Sequence, residues 1–97
     1  MPTYISLVNY TQQGIEKIKD GPARLDAAKK VYEAFGAKLL QFYLVMGRYD
    51  TVAIGEAPDD KTAAKIALMI GSKGALRTET FRAFTEDEYR KIIAELP

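Results

Sequence analysis

Four short stretches of this chain either alternate apolar and polar residues or run apolar without a break, as β-strands do. They span residues 3–10, 39–46, 51–55 and 76–84. Because strand side chains point alternately to the two faces of a sheet, each stretch predicts one apolar face and one mixed face. We expect the four strands to form one antiparallel sheet.

The segments between the strands carry apolar residues at the three-and-four spacing of amphipathic helices. The predicted helices span residues 12–19, 23–35, 60–71 and 86–96. Thr11 is the N-cap residue expected for the first helix, and Gly36 is expected to end the second. Thr85 and Glu88 have the capping-box spacing that begins the last of them. The order β-α-β-β-α-β-α predicts a single α+β domain over residues 1–97, ferredoxin-like βαββαβ with a four-stranded antiparallel sheet plus a C-terminal helix.

The three longer helices each have an apolar stripe that we expect to be buried. The stripes consist of Leu25, Ala28, Val31, Tyr32 and Phe35, then Ala63, Ile66, Ala67 and Ile70, and finally Tyr89, Ile92, Ile93 and Leu96. A helix with one apolar stripe gains most of its stability by packing that stripe against another element.

The central hairpin joins its two strands through Gly47, Arg48, Tyr49 and Asp50. Gly47 can adopt a positive φ at little cost, and the Asp50 carboxylate can hydrogen-bond local backbone, so a tight turn is favoured. A second interpretation makes Asp50 a general base, since burial would raise the pKa of its carboxyl group. We favour the structural role, with Tyr49 placed against a neighbouring subunit.

The more apolar face of the sheet is expected to lie beneath the crossover helices. It comprises Ile5, Leu7, Leu40, Phe42, Leu44, Val52, Ile54 and Phe81. The mixed face would then expose Tyr4, Val8, Leu39, Tyr43 and Val45. Burying a large apolar side chain stabilises by about 1.5–3 kcal/mol, so we expect two copies to pair through their mixed faces as a dimeric α+β barrel. The alternative is a monomer whose C-terminal helix folds over its own sheet.

The polar residues of the mixed face are candidate ligand-binding residues. They are Tyr4, Ser6, Gln41, Tyr43, Thr51, Thr78, Thr80 and Arg82. Hydroxyl, amide and guanidinium groups in an otherwise apolar space can orient a small polar or anionic ligand. Arg82 can hold a carboxylate through two hydrogen bonds. Alternatively, these groups satisfy one another within a dimer interface.

Composition excludes several classes of function. With 14 Lys and Arg against 13 Asp and Glu and no basic patch, nucleic-acid binding is not expected. The chain has no Cys and no His, so we expect no metal site and no cofactor. No apolar run approaches the ~18 residues that a membrane span needs. Residues 1–20 lack a signal-peptide pattern, so a cytoplasmic location is the expectation.

Several motifs resemble those of the GYD-domain family. They are Gly47-Arg48-Tyr49-Asp50, Val52-Ala53, Glu56-Ala57-Pro58-Asp59-Asp60, Arg77-Thr78-Glu79-Thr80 and Arg82-Ala83-Phe84. The resemblance covers most of the chain. It implies a ferredoxin-like unit related to dimeric α+β barrels and brings no settled activity.

Two functions remain open from the sequence. The first is a homo-oligomeric module that binds a small ligand between its sheets or serves in assembly. The second is a cofactor-independent enzyme, because the related barrels include monooxygenases, isomerases and dehydratases. Tyr4, Tyr43, Asp50 and Arg82 would be its candidate residues.

Overall fold

The computed structural model describes residues 1–97 and has the predicted order of elements. Its strands are β1 (Thr3–Tyr10), β2 (Lys38–Leu44), β3 (Thr51–Glu56) and β4 (Leu76–Ala83). Its helices are α1 (Gln12–Glu16), α2 (Gly21–Ala34), α3 (Asp60–Gly71) and α4 (Glu86–Ala94), with a 3-10 turn at Ile18–Asp20. The strands form one antiparallel sheet in the order β2-β3-β1-β4. This arrangement confirms the ferredoxin-like α+β fold.

Two helix starts and one helix end lie where local side chains predict them, whereas α1 ends at Glu16 and not at Lys19. The Thr11 side chain accepts a hydrogen bond from the Gly14 amide at the start of α1. Thr85 and Glu88 form the predicted capping box at the start of α4. After α2, Gly36 has a φ of 70°, which glycine adopts without steric cost.

Helices α2 and α3 cover one face of the sheet and form a small core with it. Ala63 and Ile66 of α3 are buried against Tyr4 of β1, and Val31 and Tyr32 of α2 pack against the same cluster. The apolar stripes predicted for these two helices are therefore confirmed. No helix of the structure combines the length and apolar character that would let it cross a membrane.

The assignment of the two sheet faces was wrong for three of the four strands. In β1 the buried residues beneath the helices are Tyr4, Ser6 and Val8, whereas Ile5 and Leu7 were predicted there. Residues that pair across strands share a face of the sheet, so the register also assigns the residues of β3 and β4. The side covered by the helices carries Thr51, Ala53, Gly55, Thr78, Thr80 and Arg82, and the opposite side carries Val52, Ile54 and Phe81.

Gly55 allows β3 to present Thr51, Ala53 and Gly55 to the helices. A Cβ atom at Gly55 would lie 2.8 Å from the ring of Tyr32 in α2, so only glycine leaves room for the helix to approach. Alternation along the strand then fixes Thr51 and Ala53 on the helix side and Val52 and Ile54 on the opposite side. The overall hydrophobicity of a face did not decide which face the helices cover.

Strand β2 contains an irregularity that sequence periodicity does not reveal. Leu39 pairs with Gly55 and Gln41 pairs with Ile54, so the register shifts at Leu40. As in a β-bulge, the extra residue changes which face the side chains occupy. Leu39 therefore joins Phe42 and Leu44 on the helix side, contrary to its predicted placement. Gln41 and Tyr43 face away from the helices, as predicted.

Helix α4 does not pack as a layer against its own sheet or against α2 and α3. The stripe predicted to be buried is exposed, with side-chain exposures from 41% to 61%. Its members are Tyr89, Ile92, Ile93 and Leu96. The last helix therefore does not fold over its own sheet, as the alternative left open by the sequence requires.

Candidate functional site

The face of the sheet that points away from the helices is a continuous apolar surface, which we call the open face. Two rows of side chains cross it from strand to strand, because residues paired in register share a face. One row runs Tyr43, Val52, Leu7 and Glu79, and the other runs Gln41, Ile54, Ile5 and Phe81. Tyr43 is 52% exposed and Phe81 is 42% exposed. An apolar patch of this kind usually marks an interaction site.

The motif turn holds the end of the open face through backbone hydrogen bonds. An Asp50 carboxylate oxygen accepts from the Tyr10 amide at 2.9 Å. The Asp50 amide donates to the Val8 carbonyl at 2.8 Å, and its carbonyl accepts from the Val45 amide at 2.9 Å. Asp50 thus ties the β2–β3 connection to β1, which supports the structural role expected for it.

Tyr49 lies against its own chain. Its hydroxyl donates to a Glu79 carboxylate oxygen at 2.8 Å across the open face. This hydrogen bond, more than burial, raises the pKa of the Tyr49 phenol. Gly47 has a φ of 146° and Arg48 is exposed. The turn therefore borders the open face and does not enclose a pocket of its own.

Replacing Asp50 by alanine is expected to lower the free energy of unfolding by about 1–3 kcal/mol, because the part-buried Tyr10 amide loses its acceptor. Asp50→Asn keeps an acceptor oxygen and is the matched control, with an expected loss of less than about 1 kcal/mol. Urea unfolding of the three proteins measures the difference. Equal stability of all three would contradict the structural role of Asp50.

The candidate ligand-binding residues do not form the single cluster that was predicted. Tyr4, Ser6, Thr51, Thr78 and Thr80 line a cavity on the helix side of the sheet. Arg82 is on the same side, near the start of α4, whereas Gln41 and Tyr43 of the edge strand β2 lie on the open face. The prediction of one cluster failed because Tyr43 pairs with Val52 and Gln41 pairs with Ile54, which separates these two residues from the other six.

The guanidinium group of Arg82 interacts with residues of its own chain. Its guanidinium lies 4.4 Å from the Phe84 ring centroid and 3.7 Å from a Glu88 carboxylate oxygen, and it also donates to the Thr3 and Ala83 carbonyls. The hydrogen bond from the Thr85 amide lowers the pKa of Glu88, and Arg82 adds to this effect. Arg82 therefore joins β4 to α4, and its guanidinium group is not free to bind a ligand carboxylate through two hydrogen bonds.

Tyr4 also forms a hydrogen bond within its own chain. Its hydroxyl donates to the Asp60 carboxylate at 2.5 Å. Burial, and then the hydrogen bond and charge of Asp60, raise the pKa of Tyr4 to about 12. The phenol is therefore a neutral donor at physiological pH, and its role is to tie β1 to the start of α3.

The cavity between the sheet and helices α2 and α3 has a volume of about 380 Å³ and is lined mainly by apolar side chains. It is open to solvent along part of its rim, where the lining residues Leu44, Thr78 and Thr80 are exposed. Sequence reasoning missed this cavity, although the small residues Ala28, Ala53 and Ala67 around it were a signal that packing there is incomplete.

Comparison with known proteins identifies relatives of this chain. The family model described as the GYD domain matches residues 4–93. A protein of Thermus thermophilus named glutamine synthetase and cystathionine beta-lyase binding protein is 36% identical over 84 residues, which is 86% of this chain and 88% of that protein.

Two solved structures share the fold. The feast or famine regulatory protein of M. tuberculosis, in complex with L-methionine, superposes with a TM-score of 0.67 at 14% identity over 88% of this chain. Our chain covers 51% of that longer protein. A protein from Thermus thermophilus superposes with a TM-score of 0.57 at 24% identity, and the match covers 88% of this chain and 95% of that protein. At these identities the likeness concerns the fold alone.

Proposed function

This chain belongs to the GYD domain family, and on that premise we propose that it is a homo-oligomeric module that binds other proteins. Two copies pair through their open faces, and the assembly binds an enzyme of amino-acid metabolism. The observation that carries this proposal is the relative named for binding glutamine synthetase and cystathionine beta-lyase, which is similar along nearly the whole of both chains.

The open face supports pairing with a second copy. Its rows are apolar at the centre, where Ile5, Leu7, Val52 and Ile54 meet. Two such faces in contact would form an interface filled mainly by apolar side chains rather than a polar pocket, because Ser6 and the three threonines of the candidate set lie on the helix side. This arrangement favours assembly over the binding of a small polar or anionic ligand between the sheets.

Helix α4 supports a larger interface than the sheet alone provides. Four strands about 4.8 Å apart and some seven residues long offer a flat area of roughly 450 Å². A stable interface buries about 800 Å² on each partner. The exposed stripe of α4, with Ile92 and Ile93 at its centre, would add to this area by lying across the partner copy.

The alternative of a cofactor-independent enzyme has less support. Tyr43 lies on the open face, whereas Tyr4 faces the helices and its hydroxyl donates a hydrogen bond to Asp60. Asp50 binds backbone amide and carbonyl groups, and Arg82 is paired with Glu88. The four residues named for catalysis thus do not share one site.

Direct binding to purified enzymes tests the partner. We expect saturable binding, with a Kd in the micromolar range or tighter, to glutamine synthetase or to cystathionine beta-lyase from the same organism, measured by biolayer interferometry. An unrelated oligomeric enzyme of similar size is the control. Absence of binding to both enzymes, by protein that sediments as an oligomer, would refute the proposed partner and leave self-association untouched.

A further inference from the structure

We propose that the cavity beneath helices α2 and α3 is a binding site for a small, uncharged and largely apolar molecule that carries one hydrogen-bonding group. The cavity lies on the helix side of the sheet, opposite the open face. The inference is therefore independent of how two copies pair and of which enzyme the assembly binds.

The cavity arises from where the helices touch the sheet. Helix α2 contacts the outer strand β2, α3 contacts the outer strand β4, and the two helices contact each other. The two helices therefore cover the central strands β1 and β3. Small residues on both surfaces, Ala53 below and Ala28 and Ala67 above, keep the space open. The interior of a protein is normally close-packed, so an apolar space of this size between the sheet and its helices has the character of a small-molecule site.

The walls of the cavity define the chemistry of that occupant. Most of the lining residues are apolar, and the central polar groups are hydroxyls. Ser6 and Thr80 lie 2.7 Å apart and share a hydrogen bond. Burial raises the pKa of the nearby Tyr32 phenol, so this group is a neutral hydroxyl as well. A hydroxyl can both donate and accept, so this group suits a carbonyl, an amide or a hydroxyl on the ligand.

The charged residues of the lining do not favour an ionised ligand. Arg24 donates to the Gly14 carbonyl at 3.2 Å, and its guanidinium lies 6.0 Å from the Tyr10 ring centroid. These contacts hold the Arg24 guanidinium at one end of the cavity, away from its apolar centre. Glu56 lies at the far end of β3 and would repel an anion. Moving an unpaired charge into such an apolar space is unfavourable, so we infer a neutral ligand.

The volume sets the size of the ligand. An apolar cavity of about 150 Å³ is enough to hold benzene, and sites for small molecules begin at about 300 Å³. A cavity of about 380 Å³ therefore fits a molecule of about two or three rings, or a short acyl chain of similar volume.

Titration with N-phenyl-1-naphthylamine, a neutral three-ring dye whose fluorescence rises in apolar surroundings, tests the site. We expect one dye molecule to bind per chain and the melting temperature to rise with dye concentration. The sulfonated analogue 1-anilinonaphthalene-8-sulfonate should bind at least tenfold more weakly, because moving its charge into the apolar centre of the cavity is unfavourable. Equal affinity for the two dyes would overturn the proposal of a neutral ligand.

Substitutions that fill the cavity locate the dye. Ala28→Leu on α2 and Ala67→Leu on α3 each add volume to the lining and should weaken dye binding at least tenfold. Ala27→Leu adds the same volume on the exposed surface of α2 and should change affinity less than twofold. Two variants on different helices are used, so that misfolding of one, detected by circular dichroism, does not remove the test.

The open face provides the remaining control. Ile54→Lys changes the open face and leaves the cavity lining intact, so the dye affinity should stay within twofold of wild type. Loss of dye binding in Ile54→Lys would place the dye on the open face and overturn the proposal. Unchanged binding in both Ala28→Leu and Ala67→Leu would overturn it equally.

Discussion

Replacement of Ile54 by lysine is expected to convert the protein from an oligomer to a monomer of 10.8 kDa. Ile54 lies at the centre of the open face, between Ile5 of β1 and Gln41 of β2. In a paired assembly every copy would bury an unpaired ammonium group at this point. Such burial costs several kcal/mol, and each 1.4 kcal/mol raises a dissociation constant about tenfold.

Sedimentation equilibrium at micromolar concentration measures this effect. Wild-type protein should have at least twice the mass of one chain, and the dissociation constant of Ile54→Lys should be at least a hundredfold higher. Within one chain the new side chain reaches solvent, so its helical and strand content should be preserved by circular dichroism. Ala27→Lys adds the same charge on the exposed side of α2 and should leave the mass unchanged.

Two outcomes would contradict pairing through the open face. A wild-type protein that sediments as a single chain at these concentrations would rule out the oligomer. An oligomer that persists in Ile54→Lys would show that another surface, such as the stripe of α4, is sufficient. The melting temperature gives an independent readout, because it rises with protein concentration only for a protein stabilised by association.

Replacement of Gly14 by alanine is expected to lower the free energy of unfolding by about 3 kcal/mol or more. A Cβ atom at Gly14 would lie 2.1 Å from the carbonyl oxygen of Ala75, far inside van der Waals contact. The clash is with backbone, which cannot rotate away as a side chain can. The same carbonyl accepts from the Thr11 amide at 3.1 Å, so relief of the clash would separate the end of β1 from the start of β4. Overpacking usually costs about 1–3 kcal/mol, occasionally more.

Gly71→Ala is the matched control for Gly14→Ala. Gly71 is also helical, and a Cβ atom there would meet nothing within 4 Å. Alanine is favoured over glycine inside a helix by up to about 1 kcal/mol, so this variant should be slightly more stable than wild type. Urea unfolding of the two variants should therefore show shifts of opposite sign. Shifts of the same sign would mean that the Gly14 contact does not constrain the fold.

Local elements were largely predictable because their causes lie within a few residues. Thr11, Thr85 and Gly36 act on the backbone next to them, and the structure has the helix starts and the helix end that they predict. The hairpin turn was also predicted, but apart from the Val45 amide the hydrogen bonds of Asp50 are to Tyr10 and Val8 of β1, about forty residues away, and not to the local backbone expected for it. The order of these elements was then enough to indicate the ferredoxin-like fold.

The prediction of which sheet face lies beneath the helices was wrong for three of the four strands. It assumed that the helices cover the more apolar face, which holds when the other face meets water. In this chain the more apolar face is the open one, so ranking the faces by hydrophobicity gives the wrong result. The close approach of Tyr32 to Gly55, which the observed facing allows, joins residues far apart along the chain, and local periodicity does not indicate it.

By itself, the sequence determined the family, the order of the elements, the places where helices begin and end, and the apolar stripes of α2 and α3. Only the tertiary structure decided which face the helices cover, where β2 shifts register, that α4 lies apart from its own sheet, and that a cavity lies beneath α2 and α3. Caps and turns depend on neighbouring residues, whereas these features depend on contacts between distant segments, whose energies no local pattern records.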